Sequence, residues 1–121
     1  MAASTFIIVP DHPSAPRLEV RPKHFSKIAA EESNPETASA SRTLMGGAYL
    51  AEQPRTLDAT TWGFEGSALV LELPEGAGEE GAKEWLRTDP YSAGGVWDWE
   101  KARIIKFRAG VSNPQDLSAG K

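Results

Sequence analysis

The strands of this chain carry apolar side chains on both of their faces, and this limits the folds open to it more than any other feature. Thr5-Phe6-Ile7-Ile8-Val9, closed by Pro10, is a short β-branched run with no polar side. Ser67 to Leu73 alternates: Leu69, Leu71 and Leu73 face one way, while Ala68, Val70 and Glu72 face the other. Leu44 to Leu50 and Ala102 to Phe107 read as two further strands, the first weakened or bulged at Gly46-Gly47. A sheet that is apolar on both faces needs cover on both.

The chain offers little to supply that cover. Leu18, Phe25, Ile28 and Ala29 fall on one helical face, but Pro22 interrupts the pattern. The reading is either a turn up to Arg21 with a helix from Pro22, or one kinked helix, ending near Ser33-Asn34-Pro35. Glu79 to Arg87 is a second, short helix with Ala82, Trp85 and Leu86 as its apolar stripe, and Glu79-Glu80 suit its positive end. Asp89-Pro90 stops it, because a residue before proline avoids helical angles. Asp11 to Pro16, Ser33 to Ser41 and Ala51 to Glu65 read as loops. The order is β-α-β-β-α-β, the α+β ferredoxin-like plan, with a four-stranded antiparallel sheet and both helices on one face. Residues 1–110 form the one predicted domain and residues 111–121 a polar tail. The other sheet face is left bare, a binding surface to be covered by a second copy of the chain, a ligand, or both.

Bulk properties exclude several classes. The net charge of −4 carries no basic footprint for nucleic acid. With no cysteine there is neither a disulfide framework nor a thiolate nucleophile. Met1 to Val9 does not read as a signal peptide, and no apolar run approaches the ~20 residues of a membrane helix, so the expectation is a cytoplasmic protein. Two histidines with dispersed acids make no metal signature, Gly76-Ala77-Gly78 lacks the setting of a phosphate loop, and no cofactor is expected.

Few residues are left to carry chemistry. His12 lies in a proline-flanked loop, where a histidine is ordinarily solvated. His24 precedes Phe25, beside the apolar stripe of the first helix; taken by itself it reads as a boundary histidine with one hydrogen bond. Asp89, taken by itself, reads as turn chemistry. Arg17 and Arg21, at i and i+4, share a helical face as solvated charges, as a clamp on a carboxylate, or as partners for Glu19 and nearby acids.

In combination the segments are more specific. Arg17-Leu18-Glu19-Val20-Arg21-Pro22-Lys23-His24-Phe25 and Asp89-Pro90-Tyr91-Ser92-Ala93-Gly94-Gly95-Val96, with Gly63-Phe64-Glu65-Gly66-Ser67 and Ile104-Ile105-Lys106-Phe107, resemble the YCII-related family from about Phe6 to Phe107. The resemblance implies a dimeric α/β barrel, in which two ferredoxin-like subunits place their sheets face to face. It also implies an active site built from a histidine and an aspartate, here His24 and Asp89, and a serine at Ser67. The second strand departs from the family pattern: it reads Gly46-Gly47-Ala48 where the family often has glycine then proline. Ser33 to Ser41 is longer than usual, and Trp97 and Trp99 add bulk.

A histidine titrates near neutral pH, and an adjacent carboxylate fixes its tautomer and raises its basicity. The expected arrangement has Asp89 orienting His24 as general base and Arg17, Arg21 or Ser67 holding a carboxylate, phenolate or carbonyl oxygen. Tyr91, Trp97 and Trp99 would wall the site. Such a site suits lyase or isomerase chemistry on a small cyclic or aromatic metabolite in a homodimeric enzyme. The alternative is a non-catalytic metabolite-binding or accessory module. A catalytic pair should lie within roughly 3.2 Å and open to a cavity, whereas a structural pair would be sealed.

Overall fold

The structure, a computed structural model, describes residues 3–33 and 41–110. Residues 34–40, within the expected Ser33–Ser41 loop, and the tail 111–121 lie outside them. The elements are β1 (Ala3–Pro10), α1 (Arg17–Ser33), β2 (Arg42–Leu50), β3 (Phe64–Leu73), α2 (Gly78–Thr88), α3 (Pro90–Ala93) and β4 (Arg103–Phe107), with single 3-10 turns at Ala59–Thr61 and Trp99–Lys101. The sheet order is β2-β3-β1-β4 and every pairing is antiparallel, which is the ferredoxin-like topology.

Register separates the two sheet faces. Ile7 opposes Leu69 and Thr5 opposes Leu71, and these residues turn toward the helices. There they join Val9, Leu73, Ala82, Trp85, Leu86, Tyr91, Val96 and Trp97 in the core. The opposite face carries Phe6 beside Val70 and Ile105, Ile8 beside Ala68, and Met45 beside Val70. Phe107, with its ring 6.0 Å from that of Phe6, extends this patch, and Met45 and Phe107 are 58% and 40% exposed. No described element lies across it.

The segments differ from the sequence reading in physically instructive ways. β3 begins at Phe64 and not at Ser67, because Phe64 and Gly66 pair with Leu50 and Tyr49. The Tyr49 ring lies over Gly66, where a Cβ would collide with it, so the aromatic supplies the packing that the glycine lacks. The irregularity in β2 falls between Thr43 and Met45, one residue ahead of the glycine pair, with a second between Tyr49 and Leu50. α1 is one helix with Pro22 inside its second turn.

The largest difference is which face of α1 is buried. Leu18 and Phe25, predicted to face the core, are 36% and 51% exposed, whereas Arg17, His24 and Glu31 are buried. These three stand at i, i+7 and i+14, one stripe of the helix. α1 therefore docks through a line of polar contacts. At one point it also comes very close: a Cβ on Gly94 would lie 2.8 Å from Val20 Cγ2 and 2.9 Å from the Pro90 carbonyl.

Candidate active site

The polar joint between α1 and the segment 89–98 builds the site. The Asp89 backbone is extended, at φ −70° and ψ 143°, as a residue before proline requires. It thereby ends α2 and also caps α3, its side chain accepting a hydrogen bond from the Tyr91 backbone N–H at 2.9 Å. Pro90 occupies the first position of α3, where its missing N–H costs nothing. The Tyr91 carbonyl accepts from the N–H groups of Val96 and Trp97, and His12 N–H and Asp98 N–H tie the segment to the end of β1. Asp89 is thus placed by backbone geometry and is wholly buried.

Three donors converge on that carboxylate. His24 Nδ1 lies 2.8 Å from Oδ1, which also takes the Tyr91 N–H, and Lys27 Nζ donates to Oδ2 at 3.1 Å. A carboxylate surrounded by an ammonium and a backbone amide is an acceptor, so the proton of this contact belongs on His24 Nδ1. In neutral His24 this leaves the lone pair on Nε2, which has no hydrogen-bond partner among the described residues. The imidazole stacks on Tyr91, with centroids 4.1 Å apart and planes inclined by 18°, and meets the edge of Trp97 at 5.5 Å. Burial pushes the Tyr91 phenol up from its ordinary value, so it is neutral beside the histidine at physiological pH.

The second cluster sits one and two turns toward the helix N-terminus. Arg17 donates from Nε to Asp11 Oδ2 at 2.8 Å, and from Nη2 to Asp11 Oδ1 at 3.0 Å and to Ser67 Oγ at 2.6 Å. Its guanidinium carbon lies 5.2 Å and 4.9 Å from the ring centroids of Phe64 and Tyr91. Trp97 Nε1 donates to the same Ser67 Oγ at 3.0 Å. With both lone pairs of that hydroxyl engaged, its own proton is left to donate.

Between α1 and the β2–β3 edge lies a hollow of about 490 Å³. His24, Arg17, Arg21, Ser67 and Tyr91 all border it; Trp97 does not. Trp97 is 1% exposed and stands behind the site, touching it through its Ser67 hydrogen bond and its ring contacts with His24 and Tyr91, and Trp99 packs against the core elsewhere. The remaining walls are apolar: Phe25 and Ile28 from α1, Leu44, Met45 and Leu50 from β2, Leu69 from β3. Trp62 closes one side, held by a hydrogen bond from its Nε1 to the Thr56 carbonyl. Within that loop Asp58 accepts from Thr60 N and Oγ1, contacts that lower its carboxyl pKa.

Arg21 and Arg17 have different partners. Arg17 is buried and its charge is matched by Asp11. Arg21 is half-buried, lies 5.2 Å from the Phe25 centroid, and has no carboxylate partner among the described residues. His12, 3.9 Å from Asp98, does not border the hollow. Sequence reasoning missed Asp11, Lys27 and Glu31. Glu31 Oε2 accepts from Trp85 Nε1 at 2.9 Å, its other oxygen is buried without a partner among the described residues, and burial raises its pKa. Lys27 and Glu31, at three and seven residues from His24, carried a spacing signal for the same face; Asp11, in a loop, carried none. Among the described residues no three histidines or acids group at metal-binding distance, and no helix is long and apolar enough to cross a membrane.

No protein-family model matches the chain, and no curated protein matches it. Among solved structures it is similar to 5-chloro-2-hydroxyhydroquinone dehydrochlorinase (TftG) from Burkholderia phenoliruptrix AC1100, solved in complex with 2,5-dihydroxybenzoquinone. The TM-score is 0.55 at 21% identity, over 88% of this chain and 95% of that one. At that identity the similarity shows the fold, a small α+β domain of ferredoxin-like plan.

Proposed function

We propose that the protein is a small-molecule enzyme that moves a proton on a small cyclic or aromatic metabolite, in a lyase or isomerase reaction with His24 as general base. The observation that carries this reading is the 2.8 Å contact between His24 Nδ1 and a buried carboxylate, with the same imidazole bordering a hollow. Asp89 fixes the tautomer, and Nε2 takes the proton and later returns it. The Ser67 hydroxyl donates to the oxygen on which charge builds, polarised by Arg17 and Trp97 behind it. Arg21, with no carboxylate partner among the described residues, holds an anionic substituent, while Arg17 holds the serine. Tyr91 and the apolar walls suit a ring. A ring substrate also agrees with the chemistry of the similar dehydrochlorinase, whose substrate is a chlorinated hydroxyhydroquinone.

The reading includes a homodimer that buries the bare sheet face around Phe6, Met45, Val70 and Phe107, an apolar patch of the kind that monomers seldom leave in water. A rival reading, a metabolite-binding module, draws on one observation: Asp89 also caps α3, so its contacts have a structural use. Turnover of a panel of hydroxyquinones, phenols and lactones separates the two. His24→Ala and Asp89→Asn should each lower kcat by roughly 10²–10⁴-fold with the fold retained. Normal turnover in both folded variants refutes the base assignment. Binding without turnover by the wild type favours the module.

A further inference from the structure

The strand bordering the hollow contains two adjacent glycines that neither backbone conformation nor packing explains. Gly46 and Gly47 lie in the middle of β2, the edge strand nearest the site. Glycine is placed in a strand at a cost in chain entropy and lost packing, and it ordinarily serves a positive φ or a tight approach. The described glycines with positive φ are Gly76, Gly78 and Gly95, so neither β2 residue needs that freedom. A Cβ on Gly46 would meet Leu69 Cβ at 3.5 Å and Thr43 Cγ2 at 3.6 Å, ordinary contacts, and one on Gly47 would meet nothing within 4 Å. Elsewhere the chain shows what a required glycine looks like: at Gly66 and Gly94 an added Cβ collides with its neighbours.

Register gives the two glycines different roles. Gly46 is aligned with Leu69, on the helix-covered face, so a side chain there would enter the hollow. Gly47 also borders the hollow through its backbone, but it is aligned with Ala68, so its side chain would point to the bare face. A side chain at 46 would extend into the hollow that His24, Phe25 and Ile28 of α1 also border.

We infer that Gly46 is a specificity-determining residue: its missing side chain leaves a flat wall of bare backbone across the hollow from α1 and sets the size of planar ring admitted. The inference rests on the ring-substrate reading above and extends it to a residue with no polar atom of its own. Gly46 acts by exclusion. Each carbon added there narrows the slot, while the strand, which prefers a β-branched residue, gains from it.

The test is a series of Gly46→Ala, Gly46→Val and Gly46→Leu, with Gly47→Val as control. Each variant is titrated by tryptophan fluorescence with two probes, monocyclic 2,5-dihydroxybenzoquinone and a bicyclic hydroxynaphthoquinone. Thermal melts should show Gly46→Val as stable as the wild type or more so. Affinity for the bicyclic probe should fall at least tenfold in Gly46→Val and further in Gly46→Leu, the monocyclic probe should lose less, and Gly47→Val should leave both unchanged. Wild-type affinity for both probes in folded Gly46→Leu, or an equal loss in Gly47→Val, overturns the inference and leaves the ring-substrate reading intact. If the wild type binds neither probe, the ring-substrate reading falls and takes the inference with it.

Discussion

Removal of Asp11 tests whether α1 is held by charge in place of grease. Both side chains of the Arg17–Asp11 pair are only 7% exposed, and two hydrogen bonds of 2.8 and 3.0 Å join them. An exposed ion pair contributes about 0–1 kcal/mol, but losing one partner of a buried pair costs about 3–5 kcal/mol, since the other charge stays buried and unmatched. In Asp11→Ala the guanidinium keeps the Ser67 hydroxyl and two ring faces, none of which carries a negative charge. We expect a loss of about 3–4 kcal/mol, a large share of the ~5–15 kcal/mol typical of a domain. Asp11→Asn keeps the shape and one acceptor oxygen and should lose about 2 kcal/mol, the scale of a single hydrogen bond to a charged group. The Asp11→Leu/Arg17→Met double variant carries no charge to strand and should be more stable than Asp11→Ala. Urea unfolding followed by tryptophan fluorescence measures all of these, at one fixed protein concentration because association would shift the midpoint. Added salt should hardly change the differences, screening being weak inside. A cost below about 1 kcal/mol for Asp11→Ala, or strictly additive losses in the double variant, would refute the polar-joint argument.

Three further outcomes follow from the same contacts. The Glu31 pKa is raised by burial, so the folded state holds this proton more tightly than the unfolded chain; its contribution is complete below the unfolded value of about 4.5 and is lost as pH rises through the folded one. Glu31→Gln should therefore match the wild type near pH 4 and melt a few degrees higher at pH 8, and identical melting curves at both pH values would contradict this. Gly94→Ala places a methyl against Val20 and the Pro90 carbonyl and should cost about 1–3 kcal/mol in urea unfolding, while weakening ligand binding because α1 carries His24. Val70→Lys puts a charge in the centre of the bare sheet face; light scattering should show a dimer for the wild type and a monomer for the variant, and a monomeric wild type removes the case for the face-to-face dimer.

Strand order and core were legible because period-two alternation leaves little freedom: Leu69, Leu71 and Leu73 had to share a face, and they are buried together. The start of β3 was less so, since Ala51 to Glu65 read as a loop and the cover of Gly66 by Tyr49 is a cross-strand fact. For α1 the apolar pattern misled. Leu18 and Phe25 suggested the buried side, but the helix docks by pairing Arg17 and Lys27 with Asp11 and Asp89 and by hydrogen-bonding His24 to Asp89. Such matching joins residues up to 65 positions apart, and helical periodicity cannot register it. His24 and Asp89 were named through a resemblance and not through spacing. Trp97 was placed on a wall of the site because aromatic residues often stand there, whereas its indole N–H, needing a buried acceptor, draws it to Ser67 from behind.

The double duty of Asp89 divides the molecule into a conservative half and a permissive half. One carboxylate ends α2, caps α3 and pairs with His24, so position 89 serves the architecture and the imidazole together. The far side of the hollow, an edge strand with glycines at its middle and a loop closed on itself by threonine hydroxyls, bears no comparable burden. New ligand preferences should therefore arise by rewriting residues 43–62, while the His24–Asp89 contact is left in place.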